Sequence, residues 1–148
     1  MTTSKIPEGY RLYQAPEMYP EKIGPLYFKK EGDQYKFGFL VEKGHCNFNG
    51  MLHGGMMMSF ADEMMGHYVW NAVDKRRCAT ISLNIDFLAG AKEGDWIDLN
   101  CNITRKGMSV VFIRGELMIG DQIILTADGI WKIFNQTSKL KESAAPSS

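Results

Sequence analysis

The sequence has no surplus of charge, little cysteine and no long hydrophobic run. Its 17 Lys and Arg balance 17 Asp and Glu, which excludes the basic excess on which nucleic-acid binders and membrane-surface proteins depend. The three cysteines, Cys46, Cys78 and Cys101, are an odd count with no CxxC spacing. That argues against a disulfide or zinc framework and for free thiols in a reducing cytosol. No stretch approaches the ~18–20 apolar residues that span a bilayer. The opening Met-Thr-Thr-Ser-Lys also lacks the apolar run of a signal peptide. The expectation is a soluble, cytoplasmic protein with neither nucleic acid nor membrane as partner.

What is present points to one folded unit. The chain has 148 residues, 45% hydrophobic and 11% aromatic, ordinary for a single domain and wrong for a disordered chain. Residues 1–9 and 136–148 read as polar tails flanking one domain over 10–135. Within it, Ile81, Leu83, Ile85 and Phe87 alternate with Thr80, Ser82, Asn84 and Asp86. A period of two predicts an antiparallel strand with its apolar residues on one face. Ile97, Leu99, Cys101 and Ile103 repeat the pattern after Gly94-Asp95. Residues 109–119 and 122–134 form a hairpin around Gly120-Asp121, and Tyr35, Phe37, Phe39 and Val41 mark a strand pairing with 25–30. About six strands result.

One segment changes period. From Gly54 to about Asp74, Met57, Met58, Phe60, Ala61, Met64, Met65, Tyr68, Val69 and Ala72 fill a broad arc of a helical wheel. Ser59, Asp62, Glu63, Gly66 and His67 form a polar stripe beside it. Of the ten methionines, six lie between Met51 and Met65. Met57, Met58, Met64 and Met65 read as core, and Met56 as bordering a seam or pocket. Such a helix needs cover, so the predicted fold is α+β, a curved antiparallel sheet wrapped around one long central helix.

Chemistry concentrates in residues 45–63. His53-Gly54-Gly55 brings a Gly/Asn loop into the helix, where unpaired amides and the positive dipole end suit an anion, including an acyl-transfer oxyanion. Asp62 follows in a methionine-rich stretch, where a buried carboxylate needs a partner. Eight residues separate Gly54 from Asp62, about 12 Å along the helix axis, farther than an aspartate side chain reaches. To act on one substrate they must come from two chains, with the helices antiparallel across a two-fold axis.

The pattern Asn47-x-x-Gly50-x-x-His53-Gly54-Gly55 with Asp62 at its spacing resembles the hotdog-fold acyl-CoA thioesterases, in particular their PaaI-like, phenylacetate-pathway branch. Residues 82–88, Gly94-Asp95-Trp96, 105–109 and the strand through Trp131-Lys132 are similar to that branch too. The resemblance implies a hotdog fold, with Asp62 as nucleophile or general base and the Gly54 amide, helped by Gly55, polarising the thioester carbonyl. Asn47 would orient water or thioester, and His53 would shape the loop or contact substrate. Thr80 would help position water. Coenzyme A, as part of the substrate rather than a cofactor, would lie along Leu88, Ala89 and the turn Arg105, Lys106, Gly107, Met108 and Ser109. The expected substrate is an aromatic or medium-chain acyl-CoA, and the expected assembly a homodimer that stacks into a homotetramer.

Other readings carry less. A hotdog fold can bind acyl-CoA as a regulator without cleaving it, but such a protein has no need of a carboxylate beside the thioester. Asp62 with His67 superficially matches the acid–base pair of enoyl-CoA hydratases, though both residues fall inside the helix. Glu63-x3-His67 lacks the HExxH pattern and a third ligand, so it reads as a polar pair at a dimer seam, with no metal expected. Cys46 beside His45 lacks an orienting partner, and Ser59 lacks the GxSxG elbow.

Overall fold

The computed structural model describes residues 6–137. The alternating segments form strands of one sheet, and the methionine-rich segment is its long helix. In chain order the elements are β1 (Arg11–Leu12), α1 (Tyr19–Ile23), β2 (Tyr27–Glu31), β3 (Gln34–Leu40), a 3-10 turn at Lys43–His45, α2 (Gly54–Ala72), β4 (Arg76–Phe87), β5 (Trp96–Lys106), β6 (Val110–Ile119) and β7 (Gln122–Thr137). The sheet has seven strands in the order β1-β2-β3-β5-β6-β7-β4, every pairing antiparallel. This is the sheet-and-helix architecture that the resemblance implies. Of the expected tails, residues 1–5 and 138–148 lie outside the described residues; β7 continues through Thr137.

Packing decides the helix. Phe60, Met64, Met65, Val69 and Trp70 are fully buried, sharing the core with Ile97, Leu99, Ile113, Leu117, Leu125 and Trp131. Each such side chain contributes roughly 1.5–3 kcal/mol by leaving water. Burial runs almost round the helix, leaving a narrow exposed sector at Gly55, Met58 and Asp62. Two methionines therefore exchange their expected places: Met58 is 40% exposed, and Met56 is buried. The polar stripe divides as well. Ser59 is half-buried and Asp62 exposed, whereas Gly66 and His67 are sealed inside the chain.

The strict alternation expected for β4 is interrupted. Its register against β7 pairs Thr80 with Trp131 and Ser82 with Ile130, so Ile81 is an extra residue in a bulge. The bulge reverses the phase of the strand. Cys78 and Thr80 face the buried Ile133 and Trp131 before it, and Leu83, Ile85 and Phe87 pair with Gly129, Ala127 and Leu125 after it. Thr80 thus shares the helix-facing side with Leu83, and Ile81 turns outward at 57% exposure. The sequence reading did not include α1 or the two-residue β1, which are too short to show a period.

Candidate active site

The loop ahead of α2 is tied by its own side chains. The Asn47 carboxamide oxygen accepts from the Asn49 amide at 2.9 Å and the Met51 amide at 3.1 Å, and Gly50 takes the positive φ of 76° that the turn requires. The backbone amide of His53 donates to the His45 carbonyl at 2.9 Å. His53 is the N-cap of α2: its Nδ1 accepts from the Gly55 amide at 2.8 Å, in place of the usual short polar cap. The imidazole of His45 is also structural. Its Nδ1 accepts from the Glu42 amide at 3.0 Å, and its Nε2 lies 2.7 Å from the Ile23 carbonyl, tying α1 to the loop.

Three expected roles change accordingly. The Gly55 amide already serves His53, so it is not a second free donor. The Gly54 amide has no acceptor among the described residues and stands at the first turn of the helix beside the Phe87 ring, which a Cβ on Gly54 would meet at 3.4 Å. His53 acts on the loop and cap, and the oxygen of Asn47 is occupied in its turn.

Asp62 lies on the exposed sector, two turns from Gly54. Thr80 Oγ1 donates to its Oδ1 at 2.6 Å, a charge-assisted bond of the short, strong kind. The bulge at Ile81 makes this contact possible by turning Thr80 toward the helix. Met58 on the same sector and Ile81 next to Thr80 leave apolar surface exposed, as do Phe87 beside Gly54 and the following Leu88. β4 is the last strand in the sheet order, with one edge unpaired among the described residues.

The expected coenzyme A contacts fall at two ends of the molecule. The Leu88 and Ala89 amides donate to the Ile124 carbonyl at 2.9 and 3.2 Å, just beyond Phe87. Lys106 Nζ instead donates to the Ala72 carbonyl at 3.2 Å, at the opposite end of α2, where a cation favours the dipole. Gly107 closes the β5–β6 turn through Val110, Ser109 accepts from the Ile133 amide, and Met108 is fully exposed. The two groups are not brought together within one chain.

The remaining titratable groups lie elsewhere. Glu63 and His67 are not a surface pair: His67 is enclosed by Tyr13, Tyr35, Phe37 and Trp70. The Tyr13 hydroxyl donates to Glu63 Oε2 at 3.4 Å and lies 3.2 Å from His67 Nδ1. Burial, then the charge of Glu63, holds the Tyr13 hydroxyl protonated well above its usual range. Asp62 and His67 point about 140° apart round the helix, so the pair required of a hydratase is not assembled. Among the described residues no three His, Cys, Asp or Glu side chains converge as a metal site. Burial pushes the Cys101 thiol up to about 12, and the Cys46 thiol contacts the Glu42 carbonyl rather than a histidine. No helix among the described residues is long and apolar enough to cross a membrane.

Comparison with known proteins identifies the family and the fold. PA0474 of Pseudomonas aeruginosa, described as a candidate esterase, is 23% identical over 130 residues, covering 86% of this chain and 97% of that one. The E. coli PaaI protein from the phenylacetic acid degradation operon superposes with a TM-score of 0.65 at 17% identity, over 70% of this chain and 74% of its own. A protein of Streptococcus pneumoniae described as a hypothetical thioesterase, with coenzyme A, gives a TM-score of 0.69 at 17% identity, over 76% and 88%. The family model for the thioesterase superfamily matches residues 49–125, just over half of the chain and the whole stretch from the loop through α2 to β7's first residues. This chain belongs to the thioesterase superfamily and has its hotdog fold.

Proposed function

We propose that the protein is an acyl-CoA thioesterase whose active site forms between two copies of the chain. It hydrolyses an aromatic or medium-chain acyl-CoA to the free acid and coenzyme A. The carrying observation is the exposed Thr80–Asp62 pair at 2.6 Å, two helical turns from the uncommitted, half-buried Gly54 amide at the border of the same exposed sector of α2. Coenzyme A in the pneumococcal neighbour supports the ligand class.

The thioester carbonyl accepts a hydrogen bond from the Gly54 amide of one subunit. Asp62 of the partner subunit attacks the carbonyl carbon or draws a proton from the attacking water, its carboxylate held by the Thr80 hydroxyl. Collapse of the tetrahedral intermediate breaks the C–S bond, and the thiolate leaves without needing a strong acid. Where Asp62 is the attacking group, water then opens the resulting mixed anhydride, releasing the free acid and restoring the carboxylate. An oxyanion donor is typically worth about 3–4 kcal/mol of barrier, and a general base about 10²–10⁴ in rate. A two-fold axis that sets Gly54 against Asp62 must pass Met58, midway between them and exposed. The edge of β4, the outward Ile81 and the half-exposed ring of Phe87 beside Gly54 supply further surface for a second copy to cover.

Complementation between two inactive variants tests both halves. Gly54→Pro removes the amide at a first helical position where proline fits, after His53 with φ −68° and ψ 135°, a conformation proline accepts from its predecessor. Asp62→Asn removes the carboxylate. Each alone should release thiol from acyl-CoA at no more than about a hundredth of the wild-type rate. Refolded as a mixture, random pairing makes half the dimers mixed, each with one intact site of two, so roughly a quarter of wild-type activity returns. A mixture as inactive as its parents, with dimers exchanging, would refute the shared site.

A further inference from the structure

At the C-terminal end of α2, about 27 Å along the axis from Gly54, lies a separate cavity of about 370 Å³ between the helix and the β2–β3 turn. Lys30, Asp33, Gln34, Tyr68, Asn71 and Lys75 supply its polar lining. We propose that this cavity binds a phosphate-bearing anion.

Its charges are unbalanced. The ion pairs among the described residues are Lys29–Glu31, Lys92–Asp95 and Arg114–Asp128, so among those residues no carboxylate, Asp33 included, lies within bonding distance of Lys30 or Lys75. Each ammonium instead rests on an aromatic face, Lys30 Nζ at 5.7 Å from the Tyr35 ring centre and Lys75 Nζ at 5.6 Å from that of Trp70. These rings hold the cations in place and leave their N–H groups unpaired. A third donor lies in the wall: Asn71 Nδ2 is buried and has no hydrogen-bond partner among the described residues, a costly state for an amide. By contrast Gln34 is already satisfied, accepting from the Tyr68 hydroxyl at 2.7 Å.

Asp74 and Lys75 both take positive φ, 57° and 62°, closing α2 with the Lys75 amide on the Trp70 carbonyl at 2.8 Å and setting Lys75 at the mouth of the cavity. A helix C-terminus repels anions, but here the Ala72 carbonyl is engaged by Lys106 Nζ. Two ammonium groups and an unmatched amide N–H against one carboxylate select an anion, and lysines serve phosphates as point charges. The volume lies in the range of small-ligand sites.

Two sources of phosphate fit. One is a free phosphate or phosphate ester acting apart from catalysis. The other, resting on the two-fold arrangement proposed above, is the nucleotide end of the substrate, because the partner's copy of this cavity would lie about 15 Å beyond the Gly54 amide along the axis.

The test is calorimetric titration of the full chain with inorganic phosphate, pyrophosphate and coenzyme A. At least one should bind saturably, the double variant Lys30→Gln/Lys75→Gln should weaken it at least about tenfold, and Asn71→Asp, which sets a carboxylate in the wall, should abolish it. Asp62→Asn should bind as wild type, which separates this site from the catalytic one even if no thioester is hydrolysed. Kinetics identify the source. If it is the substrate's nucleotide, the double variant raises KM for acyl-CoA about tenfold at unchanged kcat and leaves acyl-pantetheine unmoved; if free phosphate, neither KM changes. No saturable binding of any of the three anions, or binding that the lysine variants leave intact, would overturn the proposal. Thermal melts of the variants within a few degrees of wild type confirm that the comparison is between folded proteins.

Discussion

Asp62 and Glu63 are neighbours in the chain and opposites in their surroundings. Asp62 stands on the exposed sector of α2 with a single short bond from Thr80. Glu63 is half-buried beside the Tyr13 hydroxyl and the enclosed imidazole of His67. One turn of 100° separates a carboxylate open to a second molecule from one committed to holding the N-terminal segment on the helix. The difference teaches how a helix that is buried nearly all round can still offer a polar group to another molecule: one narrow strip is left uncovered, and the other polar groups are closed off by residues far away in sequence.

Three substitutions sharpen that contrast. Asp62→Asn should lower thiol release from acyl-CoA by about 10²–10⁴ and leave the melting temperature where it is, because the exposed amide still accepts from Thr80. A variant with wild-type turnover would end the catalytic role of this strip. Tyr13→Phe should do the reverse. It strips a buried hydroxyl from Glu63 and His67 and should cost about 1–3 kcal/mol in denaturant unfolding, with kcat/KM unchanged; a loss of activity without a loss of stability would mean that the sealed side takes part in turnover. The smallest effect is expected at Thr80→Val, which keeps the shape and removes the donor. A charge-assisted bond of about 1.5 kcal/mol corresponds to roughly a tenfold fall in kcat, and Thr80→Ser should restore most of it.

The sequence carried the architecture because alternation and helical period are local signals. β5, β6 and β7 stand where Ile97, Leu99 and the Gly120-Asp121 turn predict them, and α2 begins at Gly54. What escaped was set by distant partners. Nothing near His67 reveals that Tyr13, 54 positions earlier, encloses it. Met56 and Met58 differ by 200° on the wheel, and only the path of the sheet decides which is covered. In the site, the structure sets Gly54 and Asp62 two turns apart on α2, and their eight-residue spacing was legible. The loss of the Gly55 amide to His53 was not, since a histidine N-cap lies outside the usual capping residues. The cavity at Lys30 and Lys75 left no trace in the pattern, because its walls come from a hairpin and a helix end about 40 residues apart in sequence.

The single inserted residue at Ile81 gives β4 the character of a reading frame. Upstream of it, even-numbered side chains look at the helix; downstream, odd-numbered ones do. Deleting one residue there would put the strand back in one phase, and no single phase keeps both Thr80 against Asp62 and Leu83, Ile85 and Phe87 over the core. Substitutions at position 81 can therefore be absorbed, whereas a change in length cannot, and relatives that keep this hydroxyl–carboxylate pair should vary in residue type at the bulge before they vary in its length.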